Sequence, residues 1–295
     1  MARGRHRKEQ LHGGRPAQRR PAPALRVMRF LFAHLGRVAP DLMGRWAYRL
    51  WFRTRRFPES AAGRRVAERA VRETLRVDNL PIAIYRWGEG PVVLFVHGWS
   101  GRGSQAAVFV EPLLRAGFQV IAVDAPGHGE TPGDRTNILE CAVVLRAIER
   151  AYGPLYGAIT HSFGGMVLAY ALKHGMRVGR VVSLSAPATV EYLVDGFSQT
   201  LDMPPAVAGN LRQRLELRFE GDFRARISTI NNVRELAVPA LVIHDVDDAS
   251  VSWRQGEMIA AAWPGARFLK TQGLGHGRIL RDPGVVEAAV AFISQ

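Results

Sequence analysis

The runs Val92-Val93-Leu94-Phe95-Val96, Val120-Ile121-Ala122-Val123 and Leu241-Val242-Ile243 contain no polar side chain. A strand with one wetted face alternates apolar and polar residues, so strands that are apolar throughout belong in a sheet covered on both faces. Such sheets are parallel, and parallel neighbours need crossover segments, usually helices, between them. Strands are read at 80–87, 91–98, 118–127, 156–162, 181–187, 240–245 and 266–272, with helical stretches between them. The expected class is therefore α/β, beginning near residue 74, and no internal repeat interrupts it.

What precedes residue 74 has a different composition. Residues 1–72 carry nineteen of the 40 Lys and Arg but four of the 26 Asp and Glu, a balance of +15 that leaves −1 for the rest. Residues 1–24 have too few large apolar side chains to offset the entropy of ordering and are expected to be a disordered basic tail. Residues 25–73 are expected to form an amphipathic basic helical extension. In its first helix Leu25, Val27, Met28, Leu31, Phe32 and Leu35 share a face, Arg26, Arg29 and Arg37 lie opposite, and Phe30 breaks the pattern. A second helix over 42–56 carries Arg45, Arg49, Arg53 and Arg56 on one stripe.

Such helices either pack their apolar side on the domain or contact an anionic membrane surface or an acidic partner through residues 25–56. Nucleic-acid binding is the least supported use of this charge, because the α/β part is electrically neutral. The Arg-rich start lacks the uncharged stretch of a signal peptide, and no run approaches the ~20 apolar residues of a spanning helix. The expectation is a cytoplasmic protein, soluble or membrane-peripheral. A lone cysteine, Cys141, excludes an internal disulfide framework.

The chemistry concentrates at strand ends. Residues 155–160 read as a buried strand and 166–172 as a helix, with Ser162 at the junction in Thr160-His161-Ser162-Phe163-Gly164-Gly165. A strand-to-helix turn this tight needs small residues two positions either side of its apex, and it aims the apical hydroxyl at the amide groups of the helix start. Gly164 supplies the downstream small residue, and Thr160 stands at the upstream one. A serine ahead of a helix is also an ordinary N-cap, so the turn alone does not decide the matter.

The strand 91–96 runs into His97-Gly98-Trp99-Ser100-Gly101, where the Trp99 N–H, with that of Phe163, would face an acyl oxygen as an oxyanion hole. His97, Asp124 and His128 are expected to brace loops. After the strand 240–244, the loop from Asp245 to Val251 holds Asp245, Asp247 and Asp248, of which one can orient a histidine. Asp248, in a D-x-x-V arrangement, is the choice, with Asp245 and Asp247 as alternatives. Gly273-Leu274-Gly275-His276-Gly277 places a mobile imidazole near the C-terminus, suited to act as general base and then acid.

Taken together, HGWSG, DAPGHG, THSFGG, the D-x-x-V loop and GLGHG, in the order Ser, Asp, His, resemble the serine-nucleophile members of the α/β-hydrolase fold superfamily over about residues 75–295. The resemblance implies a mostly parallel eight-stranded sheet flanked by helices, a nucleophile elbow at Ser162, a Ser162–Asp248–His276 triad, and no metal or organic cofactor. Thr160 departs from the glycine usual in the elbow, and Asp245 from the glycine often found after that strand. Epoxide hydrolases and haloalkane dehalogenases carry Asp at the nucleophile position, which Ser162 disfavours.

Residues 188–238 are long enough for a small helical cap over Ser162. Tyr192, Leu193, Val194, Phe197, Leu201, Met203 and Leu211 either line an acyl pocket there or pack on the sheet. The expected activity is hydrolysis of a small-molecule carboxylic ester or thioester through an acyl-enzyme. Amide or peptide cleavage on the same triad, and a non-catalytic ligand-binding protein, are the alternatives.

Overall fold

The computed structural model describes residues 23–295. The tail 1–22 lies outside the described residues, while Pro23 and Ala24, read with it, begin the first helix. The elements in order are α1 (Pro23–Val38), α2 (Pro40–Trp51), α3 (Ala61–Ala67), β1 (Val71–Val77), β2 (Leu80–Trp87), β3 (Val92–Val96), α4 (Ala107–Arg115), β4 (Gln119–Val123), α5 (Ile138–Tyr152), β5 (Leu155–His161) and α6 (Phe163–Lys173). Then come β6 (Val181–Leu184), α7 (Val190–Thr200), α8 (Pro205–Arg218), α9 (Phe223–Ile227), α10 (Thr229–Val233), β7 (Ala240–Asp245), α11 (Trp253–Ala262), β8 (Arg267–Thr271), α12 (Gly275–Arg278) and α13 (Pro283–Ile293).

Among the described residues eight strands form one sheet in the order β1-β2-β4-β3-β5-β6-β7-β8. Strands β1, β2 and β4 pair antiparallel, and every other neighbour is parallel. All residues of β3, β6 and β7 are buried, as two-sided coverage demands. All seven expected strands are present. The eighth, β1, begins at Val71 inside the segment read as helical. It pairs with β2 through a two-residue turn, Asp78-Asn79, whose φ angles of 47° and 66° match the twist that hairpins favour.

The N-terminal helices belong to the same fold. Phe32 and Ala47 are fully buried and Met43 nearly so, all within the main hydrophobic core. Phe32 stacks on Trp46 at 4.9 Å. α1 and α2 pack on α8 so closely that a Cβ on Gly36 would lie 2.9 Å from side-chain atoms of Pro204 and Val207. Arg29, read as part of the solvated face of α1, instead grips Asp202 at 2.6 and 2.8 Å. Past α2 the chain is not helical: residues 53–60 run as an extended strap across the loops that follow β3 and β4, with Thr54 N–H on Asp134 O and Thr54 Oγ1 on Gly127 O. The helical pattern at 53–56 fails because these backbone groups find partners on neighbouring loops.

Candidate active site

Ser162, between β5 and α6, has φ 51° and ψ −121°. Such a conformation is strained for a residue with a Cβ and persists only where the surroundings enforce it. Here Ser162 N–H donates to Leu184 O at 2.8 Å, and α6 starts directly against β3. A Cβ on Gly164 would sit 2.5 Å from Val96 O and 2.7 Å from His97 O, so only glycine fits the position. Thr160 is fully buried on the upstream side and turns its hydroxyl to Val182 O at 3.3 Å, which is how a β-branched residue is accommodated there. The Ser162 hydroxyl makes no capping hydrogen bond among the described residues, which separates it from an ordinary N-cap serine.

The loops after β7 and β8 bring a carboxylate and an imidazole together. His276 Nδ1 lies 2.7 Å from Asp248 Oδ2, whose side chain is fully buried while that of His276 is 24% exposed. Burial opposes the charge on Asp248, but hydrogen bonds from His244, His276 and the Val251 N–H outweigh it and hold the carboxyl well below the usual range. Asp248 is therefore an anion, so Nδ1 of His276 carries the proton and Nε2 presents its lone pair. Ser162 and His276 line the same cavity, of about 430 Å³.

The other two aspartates have different partners. Asp245 accepts from the N–H groups of Asp247, Leu274 and Gly275 and from the Thr271 hydroxyl, and these bonds outweigh burial to keep it ionised. Asp247 accepts from Gly273 N–H at 2.9 Å. Both carboxylates tie the loop bearing His276 to the end of β7, so the residue where a glycine is common positions the histidine instead of orienting its ring.

Three more histidines hold loops in place. His97 donates from Nδ1 to Gly98 O and accepts Ala125 N–H at Nε2, and His128 donates to Pro126 O and accepts Ser100 N–H. Burial lowers both to about 4, which keeps the neutral, two-partner form that this bracing uses. Asp124 accepts from Gly103 N–H, Glu130 N–H and the Tyr85 hydroxyl. His161, lowered to about 3 chiefly by burial, donates from Nε2 to the carbonyl of His276 at 2.9 Å. Nothing singled out His161 in the sequence beyond its place beside Ser162.

The braced loop holds Trp99, whose ring meets Phe163 edge-on at 5.0 Å. Among the described residues neither the Trp99 N–H nor the Phe163 N–H has a hydrogen-bond partner. A second cavity of about 420 Å³ also opens on Ser162, Trp99 and Phe163 and is walled mainly by apolar side chains. Of the cap residues proposed for an acyl pocket, Leu193 and Phe197 line it. Val194, Leu201 and Leu211 are buried in the core, and the Tyr192 hydroxyl accepts Ser252 N–H.

The opposite wall was not expected from the sequence. It is made by Leu50, Trp51, Phe52 and Phe57, with Trp51 against Phe197 at 5.3 Å. The signal was present as the aromatic cluster WF-RTRR-F, whose arginines directed attention to charge.

The α/β hydrolase fold family model matches residues 91–230. The chain belongs to the α/β-hydrolase fold superfamily. Within it, a Mycobacterium phage D29 protein provisionally named a non-heme haloperoxidase is 26% identical over 73% of this chain and 91% of its own length. The pimeloyl-[acyl-carrier protein] methyl ester esterase of Methylococcus capsulatus is 36% identical over 33% of this chain and 37% of that enzyme. An esterase structure from Exiguobacterium antarcticum superimposes with a TM-score of 0.59 at 17% identity, covering 75% of this α/β-hydrolase and 98% of the esterase, a likeness of fold. Among the described residues no cluster of His, Cys, Asp and Glu is arranged to hold a metal ion.

Proposed function

We propose that this α/β-hydrolase is a serine hydrolase acting on a carboxylic ester or thioester with an apolar acyl group. The observation that carries this reading is the His276–Asp248 hydrogen bond beside a cavity shared with the strained Ser162. In the proposed reaction Ser162 Oγ adds to the substrate carbonyl as its proton passes to His276 Nε2. The imidazolium is stabilised by the Asp248 anion, and the negative oxygen is met by the Trp99 and Phe163 N–H groups. Collapse breaks the bond to the leaving oxygen or sulfur, which takes the proton from His276. A water molecule, deprotonated by the same imidazole, then releases the acid and restores Ser162.

The apolar cavity between the cap and the N-terminal wall suits the acyl part. The names of its relatives include a methyl ester esterase, consistent with this chemistry. Amide cleavage uses the same steps and differs in its leaving group. Labelling by a fluorophosphonate tests the proposal: wild type is expected to react covalently and Ser162→Ala not at all, with His276→Ala slowed by several orders of magnitude. Folded wild type that stays unlabelled, or Ser162→Ala that labels equally, overturns it.

A further inference from the structure

The helix α1 has one apolar face more than the fold uses. Phe32 and Gly36 point into the core, with Leu25 and Met28 partly buried on the same side. On the opposite side Val27, Phe30 and Val38 are 59%, 60% and 79% exposed, one above another at helical spacing, and Leu42 in the first turn of α2 is itself 64% exposed. Phe30, which breaks the simple amphipathic pattern of the sequence, belongs to this second stripe. With Leu35 and Phe57, six of the ten large hydrophobic side chains that are exposed among the described residues fall between positions 27 and 57. A concentration of this kind on a soluble surface marks a contact.

The flanks of the stripe identify the partner. Arg26, Arg37, Arg45 and Arg49 are exposed and make no ion pair among the described residues, whereas Arg29 on the buried side is taken by Asp202. The single carboxylate of the two helices, Asp41, is occupied by Asn210. A second copy of the chain would set these arginines against their equivalents. An anionic lipid surface takes both features at once, because cations meet the headgroups while Phe and Val enter the acyl boundary.

We propose that the exposed face of the α1–α2 pair seats the protein on an anionic membrane surface. Leu50 and Trp51 of α2 line the apolar cavity at Ser162, so the helix pair proposed to dock also supplies a wall of that cavity. No helix of the described residues is long and apolar enough to cross a membrane, and the proposed attachment lies in the interface. The contact is independent of whether Ser162 is catalytic.

Flotation of the full chain with phosphatidylcholine vesicles, with and without phosphatidylglycerol, tests the proposal. Wild type is expected to float with the anionic vesicles, to be released by high salt, and to ignore the neutral ones. Phe30→Asp with Val38→Asp, and separately Arg26→Glu with Arg37→Glu, are each expected to weaken binding by about tenfold or more at unchanged melting temperature. Equal binding to neutral vesicles overturns the proposal, as does no binding to anionic ones. It is overturned too if the aspartate variant still binds fully, which would assign the affinity to basic charge alone, or if that variant dissociates a dimer in solution, which would assign the face to a second copy.

Discussion

The substitution Asp248→Asn separates the orientation of the histidine from its mere support. Asp248 Oδ1 accepts the N–H groups of Ser250 and Val251 at 2.8 and 2.9 Å, while Oδ2 faces His276 Nδ1. An asparagine must place its oxygen on the two N–H groups, because the reverse orientation leaves both buried donors unpaired at about 1–3 kcal/mol each. Its NH₂ group then points at His276 Nδ1 and donates to it. The imidazole proton moves to Nε2, and the lone pair that the proposed mechanism requires there is gone.

A tautomer reversal of this kind lowers turnover by roughly 10³–10⁴-fold, a loss of about 4–5.5 kcal/mol in transition-state stabilisation. Single-turnover labelling by a fluorophosphonate, with hydrolysis of a p-nitrophenyl ester as second readout, measures it on protein of checked fold. Activity within tenfold of wild type would refute the reasoning. So would an equal loss in a folded Asp247→Asn protein, since Asp247 bonds Gly273 and not the imidazole.

Further outcomes follow from the same geometry. Gly164→Ala is expected to destabilise the protein by about 3 kcal/mol or more, because the new methyl meets two backbone carbonyls of the neighbouring strand end; a urea melt measures it. Phe32→Ala is expected to cost about 3–5 kcal/mol, a far larger effect than Arg29→Ala, if burial and not the surface ion pair holds the extension. Leu193→Trp fills the apolar cavity and is expected to shift kcat/KM toward shorter acyl esters by tenfold or so, which a chain-length panel would show. His97, His128 and His161 stay neutral in the fold to about pH 4, 4 and 3 but take protons near 6.5 when unfolded, so the unfolded state binds more protons in that window. Stability is therefore fully present above about pH 6.5 and falls as pH drops toward 4, by roughly 1–2 kcal/mol per histidine at pH 5, measurable as a falling urea midpoint.

The parallel sheet was legible because two-sided burial writes itself as uninterrupted apolar runs, and the candidate site residues Ser162, Asp248 and His276 could be picked out because they follow the ends of such runs. Strand β1 was missed because VRETLRV, on the sheet edge, is largely exposed and carries alternating charges. Its turn, Asp78-Asn79, was the available signal. The extension was read by charge, and its arginines obscured that Trp51 and Phe52 face a cavity. The split of α1 into a buried and an exposed apolar side follows from where α8 sits, a long-range fact that helical periodicity does not contain. The choice among Asp245, Asp247 and Asp248 likewise needed the loop from Gly273 to His276 to be laid beside them.

The wall made by residues 50–57 has a history as well as a place. These residues leave the ribosome before their distant partners: Ser100, then Gly127 and Asp134, then Phe197. Contacts this distant in sequence form slowly, after local structure has accumulated. The sheet, the elbow and the loop of Asp248 and His276 need nothing from the wall to pair among themselves. The apolar cavity at Ser162 is thus complete only once residues 50–57, from early in the chain, lie against Phe197 of α7.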